Sequence, residues 1–115
     1  MFKFEKLAVW QKAVAFADLI YAKSAGFPDA ERFGLTNQIR RAAVSISSNI
    51  AEGSARPDPD YARLLSIASG SLYEVVTQAT IARNQRFLKD ADFADIYAAA
   101  DEIARMLTGL RQSLS

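Results

Sequence analysis

Histidine and cysteine are both absent from the 115 residues. That removes zinc sites of the Cys/His kind, Ser-His-Asp and Cys-His nucleophile systems, thioredoxin-like redox chemistry and haem attachment. Glycine and proline are scarce, at five and three, so neither a loop-rich nor a disordered chain is expected. Charge of one sign is missing too: 14 Lys and Arg against 13 Asp and Glu leave a net +1, too balanced to mark a nucleic-acid or membrane-surface protein by total charge. The longest uncharged runs, 42–51 and 64–73, fall far short of the ~20 residues that a membrane-spanning helix needs. The opening Met1-Phe2-Lys3-Phe4-Glu5-Lys6 lacks the apolar core and cleavage site of a signal peptide. Without cysteines, a cytoplasmic address is the default expectation. What is present is apolar: hydrophobic residues make up 50% and charged residues 23%, the balance of one soluble domain spanning residues 1–115.

Apolar residues recur at steps of three and four in four segments, the period of an α-helix. Residues 7–24 carry Trp10, Ala13, Val14, Ala17, Ile20 and Tyr21, and Gly26-Phe27-Pro28 ends the run. A second segment, from about residue 31 or 33 to Glu52, sets Leu35, Ile39, Ala42, Ala43, Ile46 and Ile50 on one stripe, with Gly53 read as a left-handed cap. Asp58-Pro59 supplies an N-cap carboxylate and a proline at the first helical position of a third, running to about Arg86. Leu88 and Lys89 lie in a turn, and Asp90 caps a fourth segment whose seam runs through Phe93, Tyr97, Ala100, Ile103, Leu107 and Leu114. No run alternates like a strand. Short connections make consecutive helices neighbours, so the expected fold is all-α, an antiparallel up-down-up-down four-helix bundle.

More apolar surface is written into these helices than one bundle hides. The first has an apolar arc near 180°, from Val9, Phe16 and Ile20 round to Leu7 and Val14. On the third, Ile67 and Ile81 fall with Gly70 and Glu74 on a side away from the stripe of Leu65, Leu72 and Ala79. Scattered exposed apolar residues are ordinary. Here they occur on two helices, and a mid-helix glycine costs ~1 kcal/mol relative to alanine unless something packs closely against it. A homo-oligomer is expected, although no spacing fixes its subunit number.

The second helix carries the densest polar pattern, with Arg41, Ser45, Ser48 and Glu52 on a narrow stripe away from its apolar face and Arg40 pointing to a different side. Small hydroxyl residues let another helix approach, and an Arg and a Glu at opposite ends can close a hydrogen-bonded network. Gln38 and Asn49 border the apolar face, where their amides need partners if buried. With no nucleophile and matching base in sight, these residues read as a packing device within or between subunits rather than as catalysts.

The run Gly34-Leu35-Thr36, Gln38-Ile39-Arg40-Arg41-Ala42, Val44-Ser45-Ile46 and Ser48-Asn49-Ile50-Ala51-Glu52-Gly53 resembles the signature of the four-helix-bundle 23S rRNA intervening-sequence proteins. Leu7, Val9, Trp10 and Ala13, Arg56, and Ile67-Ala68, Gly70-Ser71-Leu72 and Glu74 extend the likeness over nearly the whole chain. Ser47 stands where many relatives carry proline, and the last helix matches mainly in its apolar pattern. The resemblance implies a cytosolic bundle assembling as a barrel-like homopentamer. One branch is similar to the accessory variability proteins of diversity-generating retroelements, which implies binding of nucleic acid and a protein bound to it.

Residues 1–24 carry four Lys against Glu5 and Asp18, whereas residues 89–115 carry Lys89, Arg105 and Arg111 against five acids. Repeated around a ring, that asymmetry makes basic and acidic zones. Lys3, Lys6, Lys12, Lys23, Arg40, Arg56 and Arg63 are the candidate phosphate contacts, each weighed against an ordinary solvated charge. Tyr21, Tyr61, Tyr73 and Tyr97 offer rings for stacking, yet their spacing favours core or interface. Ser71 belongs with the interface group of Gly70, Glu74, Ile67 and Ile81, since Gly70-Ser71 lacks the spacing and lysine of a phosphate loop. No catalytic residue, metal or cofactor is expected. The sequence points to a non-enzymatic oligomeric scaffold or adaptor engaging RNA or an RNA-bound protein. A protein-only assembly module is the alternative, and a hydrolase using metal held by Glu52, Glu74, Asp101 and Glu102 is a distant third.

Overall fold

A computed structural model describes residues 1–114 and contains four α-helices with no strand among them. They are α1 (Ala8–Ser24), α2 (Leu35–Ser54), α3 (Asp58–Asn84) and α4 (Asp90–Gln112), with short 3-10 turns at Lys3–Lys6 and Asp29–Glu31. Their packing is consistent with a bundle, 42 Å long and 22 Å across. At 27 residues, α3 is about 40 Å long and runs the length of the molecule.

Each helix turns its three-and-four stripe to one core. Phe16, Ile20, Ile46, Leu65, Ile103 and Leu107 are among its largest fully buried side chains. α1 packs on α2, α2 on α3, α3 on α4, and α4 returns to α1. Polar ties bridge the seams: Ser45 and Ser71 hydroxyls 2.9 Å apart between α2 and α3, and Arg111 Nη1 donating to Ser66 Oγ at 3.1 Å between α3 and α4. Between α1 and α4, Lys12 meets Glu102 at 2.8 Å and Lys23 meets Asp92 at 2.8 Å.

Several local expectations are corrected. Gly53 is not a left-handed cap. It lies inside α2 and no glycine has positive φ. A Cβ there would stand 2.8 Å from Tyr61 Cδ1 and 3.2 Å from Leu64 Cβ, so the glycine serves the close approach of α2 to α3. Among the described residues, the one in the left-handed region is Arg86, at φ 65°, just past α3. Phe87 N–H donates to Ala82 O at 2.9 Å and Arg86 N–H to Arg83 O at 3.0 Å, the paired bonds of a Schellman cap. α3 starts at Asp58 with Pro57 in the cap position, and neither Asp58 nor Asp90 makes a side-chain capping bond.

The turn residue Leu88 is buried, and Phe87 beside it packs on Phe27 with ring centroids 6.2 Å apart, so two connections close one end of the core. On α4 the seam passes through buried Ile96, whereas Tyr97 is 55% exposed. α2 is unbroken at Ser47, whose hydroxyl donates to Val44 O at 3.1 Å. No helix is long and apolar enough to cross a membrane among the described residues.

Candidate functional site

The outer face of α2 is a polar ridge between two grooves. Asn37, Arg41 and Ser45 are spaced four apart, so they stack on one side of the helix, and all three line both grooves. On the α3 side a groove of about 370 Å³ also takes in Gln38, Ser71, Glu74 and Gln78. There Asn49 Nδ2 donates to Ser45 O at 2.8 Å and to Ser45 Oγ at 3.0 Å, and Ser45 reaches Ser71. The network that the sequence suggested along α2 therefore runs through Asn49, Ser45 and Ser71, with Ser71 buried. Arg41, Ser48 and Glu52 stay exposed outside it. Gln78 adds a buried Oε1 with no hydrogen-bond partner among the described residues.

On the α1 side the groove is about 510 Å³ and is lined by Tyr21, Arg32, Thr36, Arg40 and Val44 together with the ridge. Arg40 spans α1 and α2: its Nε donates to Ser24 Oγ at 2.8 Å, one Nη donates to Tyr21 O at 3.4 Å, and its guanidinium lies 4.7 Å from the Tyr21 ring centroid. Arg32 rests over the Phe33 ring at 4.9 Å. None of the three arginines is ion-paired among the described residues, and no acid lines the groove. Glu31 stands nearby, where its Oε1 accepts from Leu35 N–H at 3.2 Å and secures the start of α2.

Apolar surface remains uncovered on the other flank. Ile67 and Ile81, 42% and 44% exposed, bracket the polar centre of the α2–α3 face, on a stripe of α3 with Ser71, Glu74 and Gln78. Tyr73 and Tyr97 overhang a groove of about 320 Å³ between α3 and α4, floored by Leu72, Val76, Ala100 and Ala104. Gly70 is exposed, and a Cβ on it would meet nothing within 4 Å.

Compared with known families, residues 5–109 match the sequence model described as 23S rRNA-intervening sequence protein. The chain belongs to that family. Its description names a place in ribosomal RNA and no activity. No curated protein matches the chain closely enough to add to the assignment.

In this member of the 23S rRNA-intervening sequence family, the candidate phosphate contacts divide. Lys12, Lys23 and Arg56 are held by carboxylates: Glu102, then Asp92 with Asp95, and Glu52 at 3.1 Å within α2's last turns. The Asp92 hydrogen bond, with Asp95 behind it, raises the Lys23 ammonium above its ordinary pKa of 10.5 despite the opposing effect of partial burial. Lys3, Lys6 and Arg63 are exposed and make no ion pair among the described residues. Only Arg40 sits in the arginine groove. Sequence reasoning separated it from Arg41 because neighbours on a helix point ~100° apart, yet both long side chains reach the same groove. Arg32 and Asn37 were missed altogether. Arg32 lies before α2, where periodicity carries no signal.

Of the four tyrosines, Tyr61 is core, its phenol pushed above the ordinary pKa of 10.0 by burial, while Tyr21, Tyr73 and Tyr97 face outward. Among the carboxylates weighed for metal, Glu52, Asp101 and Glu102 are each in an ion pair. No group of three or more His, Cys, Asp or Glu gathers as a metal site among the described residues. The Arg40 guanidinium, fixed between α1 and α2, stands with Arg32 and Arg41 beside aromatic and aliphatic walls, an arrangement suited to phosphate or carboxylate oxygens.

Proposed function

We propose that the protein is a non-enzymatic helical scaffold that assembles from identical copies and engages RNA or an RNA-bound protein in the cytoplasm. The observation that carries the reading is the uncovered apolar surface of α3 and α4: Ile67, Ile81, Tyr73 and Tyr97 expose large side chains along two adjoining faces. Identical copies cover such a surface at the lowest genetic cost, and closed point-group symmetry keeps the assembly finite. Five copies is the number that the family resemblance favours. An up-down-up-down course of the helices is supported by contacts that pair early α1 with late α4, Lys12 to Glu102, and late α1 with early α4, Lys23 to Asp92.

Light scattering on the purified protein, with absorbance followed at nucleic-acid and protein wavelengths, tests both halves together. The reading expects a mass near five chains and co-purifying RNA that salt removes. A folded species that stays single at high concentration overturns the assembly. The protein-only module has one observation in its favour: Lys12, Lys23 and Arg56 spend their charge on partners within the chain. Assembly with no RNA retained even at low salt selects that module.

A further inference from the structure

We propose that the groove between α1 and α2 is a binding site for single-stranded RNA, with Arg32, Arg40 and Arg41 holding phosphodiester oxygens and Tyr21 with Val44 supporting a base. The proposal rests on the reading that the protein engages RNA, and it says where and how.

Lys12, Lys23, Arg56 and Arg105 each meet a carboxylate of the same chain. Arg32, Arg40 and Arg41 meet none among the described residues and, unlike the equally unpaired Lys3, Lys6 and Arg63, converge on one concavity whose lining contains no acid. Like charges gathered without counter-charge repel, and an anion in the groove turns that repulsion into attraction.

Arg40 is already placed for the task. Bonds to Ser24 and Tyr21 and the ring beneath it fix its plane, which lowers the entropy lost when a phosphate binds. Arg32 and Arg41 are exposed and their side chains make no hydrogen bond or ion pair among the described residues, so their guanidinium donors remain available.

Size and wall chemistry select the ligand. At about 510 Å³ the groove far exceeds a lone phosphate ion and suits a nucleotide unit. Tyr21 and Val44, 48% and 42% exposed, provide an apolar wall next to the cations. Cations tracking a backbone beside a ring that takes a base are how unpaired strands are held, whereas a duplex keeps its bases stacked inside.

The test is fluorescence anisotropy of an end-labelled single-stranded oligouridine titrated with the full-length protein over a series of salt concentrations. Variants are Arg32→Gln, Arg41→Gln, the double substitution, and Arg105→Gln on α4 as a control of equal charge change. Circular dichroism confirms folding, and light scattering reports mass for each. We expect about tenfold weaker binding for each groove variant, as for loss of one charge-assisted hydrogen bond. The double variant should also flatten the log-log salt slope by about 1.4, two phosphates at ~0.7 each. Arg105→Gln should bind within about twofold of the wild type, since only general charge is lost. Equal weakening in all variants overturns the site in favour of diffuse charge attraction. A change of mass with RNA affinity per chain retained overturns it by making the groove a contact with a second copy's acids. Wild-type binding that groove variants leave intact sinks this site alone. No binding by the wild type at low salt sinks the RNA reading with it.

Discussion

Two glycines on different helices offer a calibrated pair of substitutions. Replacing a helical glycine by alanine gains about 1 kcal/mol of helix propensity if nothing stands in the way. At Gly109 on α4 a Cβ meets nothing within 4 Å, so Gly109→Ala should gain roughly that amount. At Gly53 the same Cβ would lie 2.8 Å from Tyr61 Cδ1 and 3.2 Å from Leu64 Cβ. Both neighbours are buried, at 9% and 5% exposure, and a Cβ so close to its own backbone as that of Leu64 moves only with the helix. Overpacking of this kind costs about 1–3 kcal/mol, which outweighs the propensity gain and leaves a net loss of about 1 kcal/mol. The two variants should therefore melt about 8 °C apart, with the wild type between them. Thermal and urea melts followed by far-ultraviolet circular dichroism at matched protein concentration measure the gap. A Gly53→Ala protein as stable as the wild type, or more so, refutes the close α2–α3 approach. Gly70 sharpens the assembly reading: it is as open as Gly109 within one chain, yet it lies on the face assigned to a second copy. Gly70→Ala should lower the mass seen by light scattering at dilute concentration, whereas Gly109→Ala should not.

Arg86→Gly should stabilise the fold by about 1 kcal/mol, because φ 65° strains a side-chain-bearing residue that the Schellman cap forces there; a lower urea midpoint would contradict it. Ile46→Ala, at a side chain with 0% exposure, should cost about 2–5 kcal/mol in a urea melt, and a loss below 1 would mean that the core is looser than described. Lys23 and Tyr61 both have folded pKa values above their ordinary 10.5 and 10.0. The folded state thus holds those protons more tightly, and their stabilising contribution is complete below pH 10.0 and disappears as pH rises through the raised values. Urea midpoints should fall with pH in the alkaline range, and fall less for Tyr61→Phe; a midpoint that holds steady or rises there would refute the coupling.

The helices were legible because burial imposes a period: Ile39, Ala42, Ala43, Ile46 and Ile50 are all buried, as their spacing required. Exposure of Ile67 and Ile81 was legible for the same reason. Features set by neighbouring helices were not. Gly53 looks like a terminator in one dimension and becomes an approach point only once Tyr61 is brought against it. Tyr97 and Ile96 are adjacent, and which one enters the seam depends on how α4 is rotated, a choice that both residues satisfy on paper. The arginine groove was hidden because its members come from a loop and from two sides of a helix wheel. Pairing also escaped notice, since Lys12 and Glu102 are 90 positions apart and no local pattern links them.

That span has a kinetic side. The α1–α4 seam joins the two ends of the sequence and is clasped by partly exposed ion pairs that solvent screens, whereas α2 and α3 are joined through the short stretch 55–57. In native-state hydrogen exchange, the amides of α1 and α4 should give way together and early, while those of α2 and α3 hold until the whole molecule unravels. The outer helices are the hinged doors of this fold, and the central hairpin is its frame.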